Sequence, residues 1–444
     1  MICVHGLGYV GLSTAALFAN AGHEVVGFDP SERVRHSLAE GRPRVTEPEL
    51  AAFVRRALDG AGEGEGRLTV SDEPVAADFH LVCVPTPYDD AAGHADLGYV
   101  ESAARNVGRV LREGDVVVLE STVPPGTTEG PFRETIEAVS GLAAGEHFGL
   151  AFTPETVLPG NTVAELRSNA RIVGGIDAGS REAVRTLYGT AIDAERLSAP
   201  DCTTAEFAKL AQNASRDAAI AFANEMARVA GDYGIDARTA IGLANHHPRV
   251  DILSPGPGVG GHCLPVDPLF LKEGSDSVHL VEAARRVNDS MPAYVLELLD
   301  EALEGLDGRT VAVLGVAYKG NVSDTRNSPG LAIADLLGVA LPEGIELHGR
   351  AVPLASDGSG HGGPEEGIGV RLTDPHVDDD SLDLLSLDAA LDGADAAILA
   401  APHAEYADID PARVATLGPR VVVDPFGMLV SEQWAEAGVE VVTY

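Results

Sequence analysis

Apolar residues fall into short uninterrupted runs bounded by turn residues, separated by longer stretches in which alanine, leucine and valine recur at helical spacing. Runs at residues 2–5 and 24–28 flank a glycine turn and an alanine-rich helical stretch ending near Ala21, the pattern of a βαβ unit. Further runs at 81–84, 116–119 and 150–152, with helical patterns between them, predict a parallel α/β domain over the first 195 or so residues. Thr203-Thr204-Ala205-Glu206 has the form of a capping box. It opens a stretch to about Gly234 with no Gly or Pro before Gly231, which predicts one long helix. Residues 243–268, rich in Pro and Gly, read as loop, and a helical pattern resumes over 278–288. A second glycine-turn start at 311–315, followed by runs at 396–400 and 421–423, predicts another Rossmann-like domain. Residues 349–369 are poor in apolar side chains and read as a solvated insertion. The expected architecture is α/β: two Rossmann-like parallel-sheet domains (1–197 and 301–444) joined by a central helical domain (198–300) with a long helix.

Composition narrows the function. With 444 residues and 45% hydrophobic content the chain can bury several cores. It has no apolar run long enough to span a bilayer and no basic leader after Met1, so a cytoplasmic protein is expected. The net charge of −37, from 68 acidic against 31 basic residues, excludes nucleic acid and anionic membranes as partners. An acidic, alanine- and glycine-rich surface with only Lys209, Lys272 and Lys319 as lysines suggests a salt-rich, halophilic interior. Cys3, Cys83, Cys202 and Cys263 lack metal-ligand spacing, so no metal is expected, and the first two read as buried-strand residues.

Three segments carry candidate chemistry. Gly6, Gly8 and Gly11 form a G-x-G-x-x-G between strand and helix, where backbone amides can approach a pyrophosphate. Asp29 ends the second strand, placed to accept the ribose hydroxyls and repel a 2′-phosphate, which favours NAD over NADP. Glu206, Lys209, Asn213 and Arg216 share one helical face. Such a stripe can be solvated charge, or a lysine beside an amide that binds an oxyanion or relays a proton. Finally, residues 255–267 place four glycines in six positions just before His262 and Cys263, with Asp267 four residues on. This run is either a tight turn around a buried thiol or a backbone lying close against a ligand beside a nucleophile. No Tyr-x-x-x-Lys dyad, Walker A loop or zinc pairing occurs.

In order and approximate spacing, Gly6 to Gly11, Val84-Pro85-Thr86-Pro87, Glu120-Ser121-Thr122, Thr153-Pro154-Glu155, Glu206 to Asn213, Gly261-His262-Cys263 and Ala317-Tyr318-Lys319 resemble the UDP-glucose/GDP-mannose dehydrogenase family. Coverage is nearly the whole chain, looser after about Gly330. The run from His247 to Cys263, with His262 before the thiol and Val266 before Asp267, looks most like the subgroup acting on UDP-N-acetyl-D-mannosamine. The resemblance implies NAD on the first domain, the UDP-sugar against the third, and a homodimer or higher homo-oligomer formed through the long helix. It assigns Cys263 as thioester nucleophile, Lys209 and Asn213 as acid/base and oxyanion partners, and Asp267 and Glu155 as orienting groups. Tyr9, Val10, Asp29, Arg33, Thr86, Thr122 and Arg326 would hold NAD. Thr156, Val157, Lys209, Asn213, Arg216, His247, Arg249, Gly260, Tyr318 and Lys319 would hold the substrate. Thr156 departs from the arginine usual in the subgroup, and Asn327 from the acid that commonly follows Arg326.

The function expected is four-electron, NAD-dependent oxidation of UDP-N-acetyl-D-mannosamine to its uronate. The same chemistry on UDP-N-acetylglucosamine, UDP-N-acetylgalactosamine or UDP-glucose is the alternative. A redox-silent nucleotide-sugar binder would be expected to lack Cys263 or Lys209, and a two-electron alcohol dehydrogenase would not depend on Cys263.

Overall fold

The computed structural model describes residues 1–45, 47–62, 66–157, 160–342, 345, 347 and 367–444. They form two compact units, 1–212 with 270–275, and 213–269 with 276–444. Most of the predicted insertion, residues 349–366, lies outside the described residues.

In the first unit the strands are β1 (Ile2–His5), β2 (Glu24–Phe28), β3 (Arg67–Ser71), β4 (Phe79–Val82), β5 (Tyr88–Asp89), β6 (His94–Ala95), β7 (Val116–Leu119), β8 (Gly149–Phe152), β9 (Arg171–Gly175) and β10 (Arg196–Ser198). Eight of them form one sheet in the order β10-β9-β8-β7-β4-β1-β2-β3, with β5 and β6 a separate antiparallel pair. Residue alternation along β7 sends Val116 and Val118 into one apolar cluster and Val117 and Leu119 into the other, so helices cover both faces. The expected parallel sheet carries one reversed neighbour, because β9 pairs antiparallel with β8. The short helix between them, Thr162–Ser168, does not cross the sheet back to its starting edge, so the chain re-enters from the edge where β8 ends. Strand order reverses between β1 and β4. That switch point opens a crevice at the C-terminal strand ends, where the loops carrying Gly6, Thr86, Thr122 and Glu155 emerge.

The second unit holds β11 (Thr310–Leu314), β12 (Gly369–Thr373), β13 (Ala396–Leu399), β14 (Val421–Val423) and β15 (Glu440–Val442). They form an all-parallel sheet in the order β12-β11-β13-β14-β15, reversing between β11 and β13. Helix His279–Leu303 extends well past the expected 278–288, with Met291, Val295 and Leu299 buried in the unit's larger apolar cluster.

One continuous helix of 31 residues, Cys202–Asp232, runs from the first unit into the second. Its cap differs from the capping-box reading. Asp201 Oδ1 accepts the Thr204 N–H at 2.7 Å, so Asp201 does the work expected of Thr203. Glu206, expected to reach back to the cap, turns instead into a buried loop. Among the described residues no helix is long and apolar enough to cross a membrane.

Candidate active site

The turn after β1 is shaped by what its glycines exclude. A Cβ on Gly11 would sit 1.9 Å from the Gly6 carbonyl oxygen, so only glycine lets helix Tyr9–Asn20 start this close to the strand end. That helix has Gly8 as its N-cap, no side-chain cap and no acidic residue in its first turn, which leaves its amino-terminal end suited to an anion. Asp29 Oδ2 accepts the Leu7 N–H and Oδ1 the Ser31 N–H, each at 2.8 Å, which fixes the carboxylate beside the turn. These residues fit a dinucleotide. Val10 is half-buried on the helix and Arg33 is exposed beyond Asp29, while the Tyr9 hydroxyl is hydrogen-bonded to Glu47 and Thr162.

Thr86 and Thr122 are tied together, the Thr86 hydroxyl donating to the Thr122 carbonyl at 2.6 Å. The loop that follows Thr122 is braced by Glu206. This fully buried carboxylate accepts the N–H groups of Gly126 (2.6 Å) and Thr128 (2.8 Å) and the Thr128 hydroxyl (2.5 Å). Burial pushes the Glu206 carboxyl up to about 7, against the three donors, which favour its charged form. Lys209, also buried, follows one turn later, and Asn213 one turn after that.

Glu155 follows β8. Its Oε2 accepts the Val157 N–H at 2.8 Å, and its Oε1 lies 3.1 Å from Nη2 of Arg171, an arginine only 1% exposed. Burial opposes the Arg171 charge, but Glu155, Tyr188 and Glu120 around it hold the guanidinium protonated. Glu120, fully enclosed behind them, accepts from Tyr188, from Thr14 at 3.0 Å and from the Cys83 thiol at 3.4 Å. Burial raises the Glu120 carboxyl above its usual range, while Arg171 and these donors pull it down. Among the described residues the buried Thr156 hydroxyl oxygen has no hydrogen-bond partner.

In the second unit, Cys263 lies just ahead of the short helix Asp267–Phe270, and its carbonyl accepts the N–H groups of Val266 (3.2 Å) and Asp267 (2.8 Å). Of the four thiols it alone is exposed. Burial pushes Cys3 up to about 11 and raises Cys83 and Cys202 as well, which suits inert core thiols. Asp267, 3% exposed, accepts the Asn213 side-chain N–H at 2.5 Å, so two residues expected at the reacting centre meet.

At two positions the glycine-rich run clears space for protein. A Cβ on Gly260 would lie 2.5 Å from the Asn327 carbonyl and 2.7 Å from Cβ of Tyr318. One on Gly261, whose φ is +89°, would lie 3.0 Å from the Tyr318 ring. The Asn327 amide donates to the Gly261 carbonyl at 2.9 Å, a bond that the acid more usual there could not donate when ionised. Arg326 is gripped by the carboxylate of Asp324 through Nε and Nη2. Lys319, Arg216, His247 and Arg249 are exposed.

Residues 1–192 match the NAD binding domain of the UDP-glucose/GDP-mannose dehydrogenase family and residues 203–290 match its central domain. A UDP-N-acetyl-D-mannosamine dehydrogenase of Methanocaldococcus jannaschii is 36% identical over 99% of this chain and 95% of its own length. The chain belongs to the UDP-glucose/GDP-mannose dehydrogenase family. Another relative, the NDP-N-acetyl-D-galactosaminuronic acid dehydrogenase of Ralstonia nicotianae, is 37% identical over 96% of both chains. The solved UDP-D-ManNAc dehydrogenase of Pyrococcus horikoshii superposes with a TM-score of 0.86 at 34% identity, covering 100% of this chain and 99% of that one. Membership in this oxidoreductase family, with its NAD binding domain, implies a nicotinamide cofactor.

Several residues that shape the site were given no role from the sequence, although Asp217 and Asn224 fall within subgroup-like segments. Arg171 is one. A second set runs through the second unit: Arg285 donates to Asp217 at 2.5 Å, Asn288 to Asp217 at 2.8 Å, Asn224 to Asn288 at 2.9 Å, and Gly256 N–H to Asn224 at 2.9 Å. That chain of buried bonds anchors the glycine-rich run to two helices. The usable signal was Asp217 and Asn224, polar residues seven apart on one face of an otherwise alanine-rich helix.

Proposed function

We propose that the protein oxidises C6 of UDP-N-acetyl-D-mannosamine to the carboxylate in two successive two-electron steps, with NAD as acceptor. The observation that carries this reading is the single exposed thiol, Cys263, in a glycine-rich loop whose Asp267 is hydrogen-bonded to Asn213. The glycine turn and Asp29 would hold NAD, which would supply the hydride acceptor, one NAD for each oxidation. Lys209 accepts the alcohol proton in the first step, with Asn213 steadying the oxygen as charge develops. The Cys263 sulfur then adds to the aldehyde carbon, giving a thiohemiacetal. Loss of a second hydride from that carbon leaves a thioester, and water oriented by Asp267 and Glu155 hydrolyses it to the uronate and free thiol. Asp29 beside the glycine turn favours NAD over NADP.

The 1–197, 198–300 and 301–444 division follows this reading: cofactor, dimer-forming helix and UDP-sugar. Exposed Phe222 and Val229 on the long helix, with Tyr233 just past its end, support self-association. The mannosamine sugar is favoured by the methanogen and Pyrococcus relatives, whereas the galactosaminuronate relative keeps the alternative UDP-sugars open. The test is NADH released per UDP-sugar consumed, at high salt, with UDP-N-acetylmannosamine, UDP-N-acetylglucosamine, UDP-N-acetylgalactosamine and UDP-glucose in parallel. Two NADH per sugar, fastest with the mannosamine compound, is expected, and Cys263→Ala should lose uronate formation while still binding nucleotide. One NADH per sugar, undiminished in Cys263→Ala, would sink the thioester. Two NADH with another sugar alone would overturn the substrate.

A further inference from the structure

The second sheet has its own switch point, and a buried acid–imidazole pair fills it. Asp374 directly follows β12 and His403 follows β13, and both side chains are 0% exposed. His403 Nδ1 accepts the Asn321 N–H at 2.9 Å. An accepting nitrogen carries no proton, so the neutral ring bears its hydrogen on Nε2, which lies 3.0 Å from Asp374 Oδ2 and donates to it. The same oxygen accepts the N–H groups of Val316 (2.7 Å) and Ala317 (2.9 Å). Asp374 Oδ1 accepts those of His376 (2.8 Å) and Val377 (3.1 Å). Asn321 closes the circuit, its Oδ1 accepting the Ala404 N–H at 2.9 Å. Burial opposes the Asp374 charge, but His403 and the amides outweigh it and keep the carboxyl below its usual range.

Val316, Ala317 and Asn321 bracket Tyr318, Lys319 and Gly320. Both ends of that segment are therefore pinned to one buried pair, and Gly320 seats it from below, since a Cβ there would lie 2.1 Å from the Pro402 carbonyl. The middle of the segment presents an exposed Lys319 and packs the Tyr318 ring on Gly261. We propose that His403 and Asp374 are positioning residues for nucleotide-sugar binding, holding the Tyr318–Lys319 segment in the conformation that receives the anionic diphosphate. The inference rests on the reading of Tyr318 and Lys319 as substrate contacts. Neither His403 nor Asp374 is free for a ligand of its own. Although His376, His403 and Glu405 come together as a possible cation site, both His403 nitrogens are already engaged.

The test is calorimetric titration of the full-length protein with UDP and, separately, with NAD, for wild type, Lys319→Ala, His403→Leu and His403→Gln, with a thermal melt of each. His403→Leu removes both hydrogen bonds and should weaken UDP binding about tenfold while NAD binding stays within about twofold, the change expected for one or two lost buried hydrogen bonds. His403→Gln keeps a donor for Asp374 and should fall between wild type and His403→Leu. If His403→Leu does not fold, Asp374→Asn, which keeps the shape but replaces one acceptor oxygen by an NH2 group that cannot accept, should show the same selective loss. Unchanged UDP affinity in His403→Leu alongside a loss in Lys319→Ala overturns the inference and leaves the substrate reading standing. So does an equal loss for UDP and NAD with a lowered melting temperature, which marks a merely structural role. Unchanged UDP affinity in Lys319→Ala sinks the substrate reading, and the inference with it.

Discussion

Replacing Glu206 with alanine should loosen the cofactor-side loop of the first unit without touching any residue assigned to the cofactor. The carboxylate is 0% exposed and its three acceptor bonds, at 2.5 to 2.8 Å, go to one loop, Gly126 to Thr128. Alanine leaves two backbone N–H groups in the interior with no acceptor, at about 1–3 kcal/mol each. Relief of the buried charge offsets part of this, so a net destabilisation of about 2–4 kcal/mol is expected. pH supplies an independent check. The folded carboxyl sits at about 7 against 4.5 when free, so between those values the folded state holds more protons than the unfolded one. Stability from this group is therefore fully present below pH 4.5, falls as pH rises through 7, and is flat above, a swing on the order of 3 kcal/mol. Glu206→Gln, which cannot titrate, should lack that slope. The protein's single tryptophan, Trp434, belongs to the second unit and not to the unit that holds this loop. Amide hydrogen exchange of the 122–130 segment, with far-ultraviolet circular dichroism in urea from pH 5 to 8, reads it directly. Unchanged protection in Glu206→Ala, or a pH slope that survives in Glu206→Gln, would refute the brace.

Two further substitutions test other parts of the site. Gly261→Ala places a methyl 3.0 Å from the Tyr318 ring at φ +89°, a strain of about 1–3 kcal/mol, and should change the rate of Cys263 alkylation by iodoacetamide at least severalfold; a wild-type rate would show that the two loops are not in register as described. Arg171→Met leaves Glu155 and Glu120 without their buried cation and should cost about 3–5 kcal/mol in denaturant, with Glu120→Gln restoring part of it; an additive double variant would show that the two carboxylates do not share the guanidinium.

The parts of the fold visible in the sequence are the interior strands. β1, β4, β7, β8, β11, β13 and β14 lie inside their sheets, buried on both faces, and so read as unbroken apolar runs. β3, β10, β12 and β15 are the four sheet edges, half-solvated and polar enough to carry no run, and none was anticipated. β9 was missed for another reason: it opens on Arg171, whose burial depends on a Glu155 that sequence alone cannot bring beside it. The glycine turn, Asp29 and Cys263 were legible because local spacing dictates their geometry. What packs on Gly260 and Gly261, what caps the long helix and what Glu206 holds were not, since each is decided by a partner distant in sequence or by a helix start two residues earlier. Cys3, His5 and His80 show the same limit. They gather within 4.8 Å on neighbouring strands, with His5 Nε2 and His80 Nδ1 3.2 Å apart, although nothing in their spacing links residue 80 to residue 5.

The two Rossmann-like sheets solve one local problem in two ways, and the contrast explains why only the first reads as a dinucleotide site. In both, an acid at the end of the second strand accepts amides from the turn after the first: Asp29 from Leu7, Asp374 from Val316 and Ala317. Asp29 spends one oxygen on Leu7 and the other on Ser31, and its half-buried side chain keeps acceptor capacity for a ribose. Asp374 takes five donors and is sealed under His403, so it has nothing left to offer a ligand. The turns diverge in step. The first closes through Gly11 to leave an uncapped helix end, with the Tyr9 hydroxyl turned to Glu47 and Thr162, whereas the second, Gly315 to Gly320, carries a cation, Lys319, next to Tyr318. A turn whose acid is consumed internally cannot read a ribose through it, but it can hold a cation and an aromatic ring rigidly at the C-terminal end of an interior strand, which is what the proposed recognition of a charged nucleotide by side chains requires.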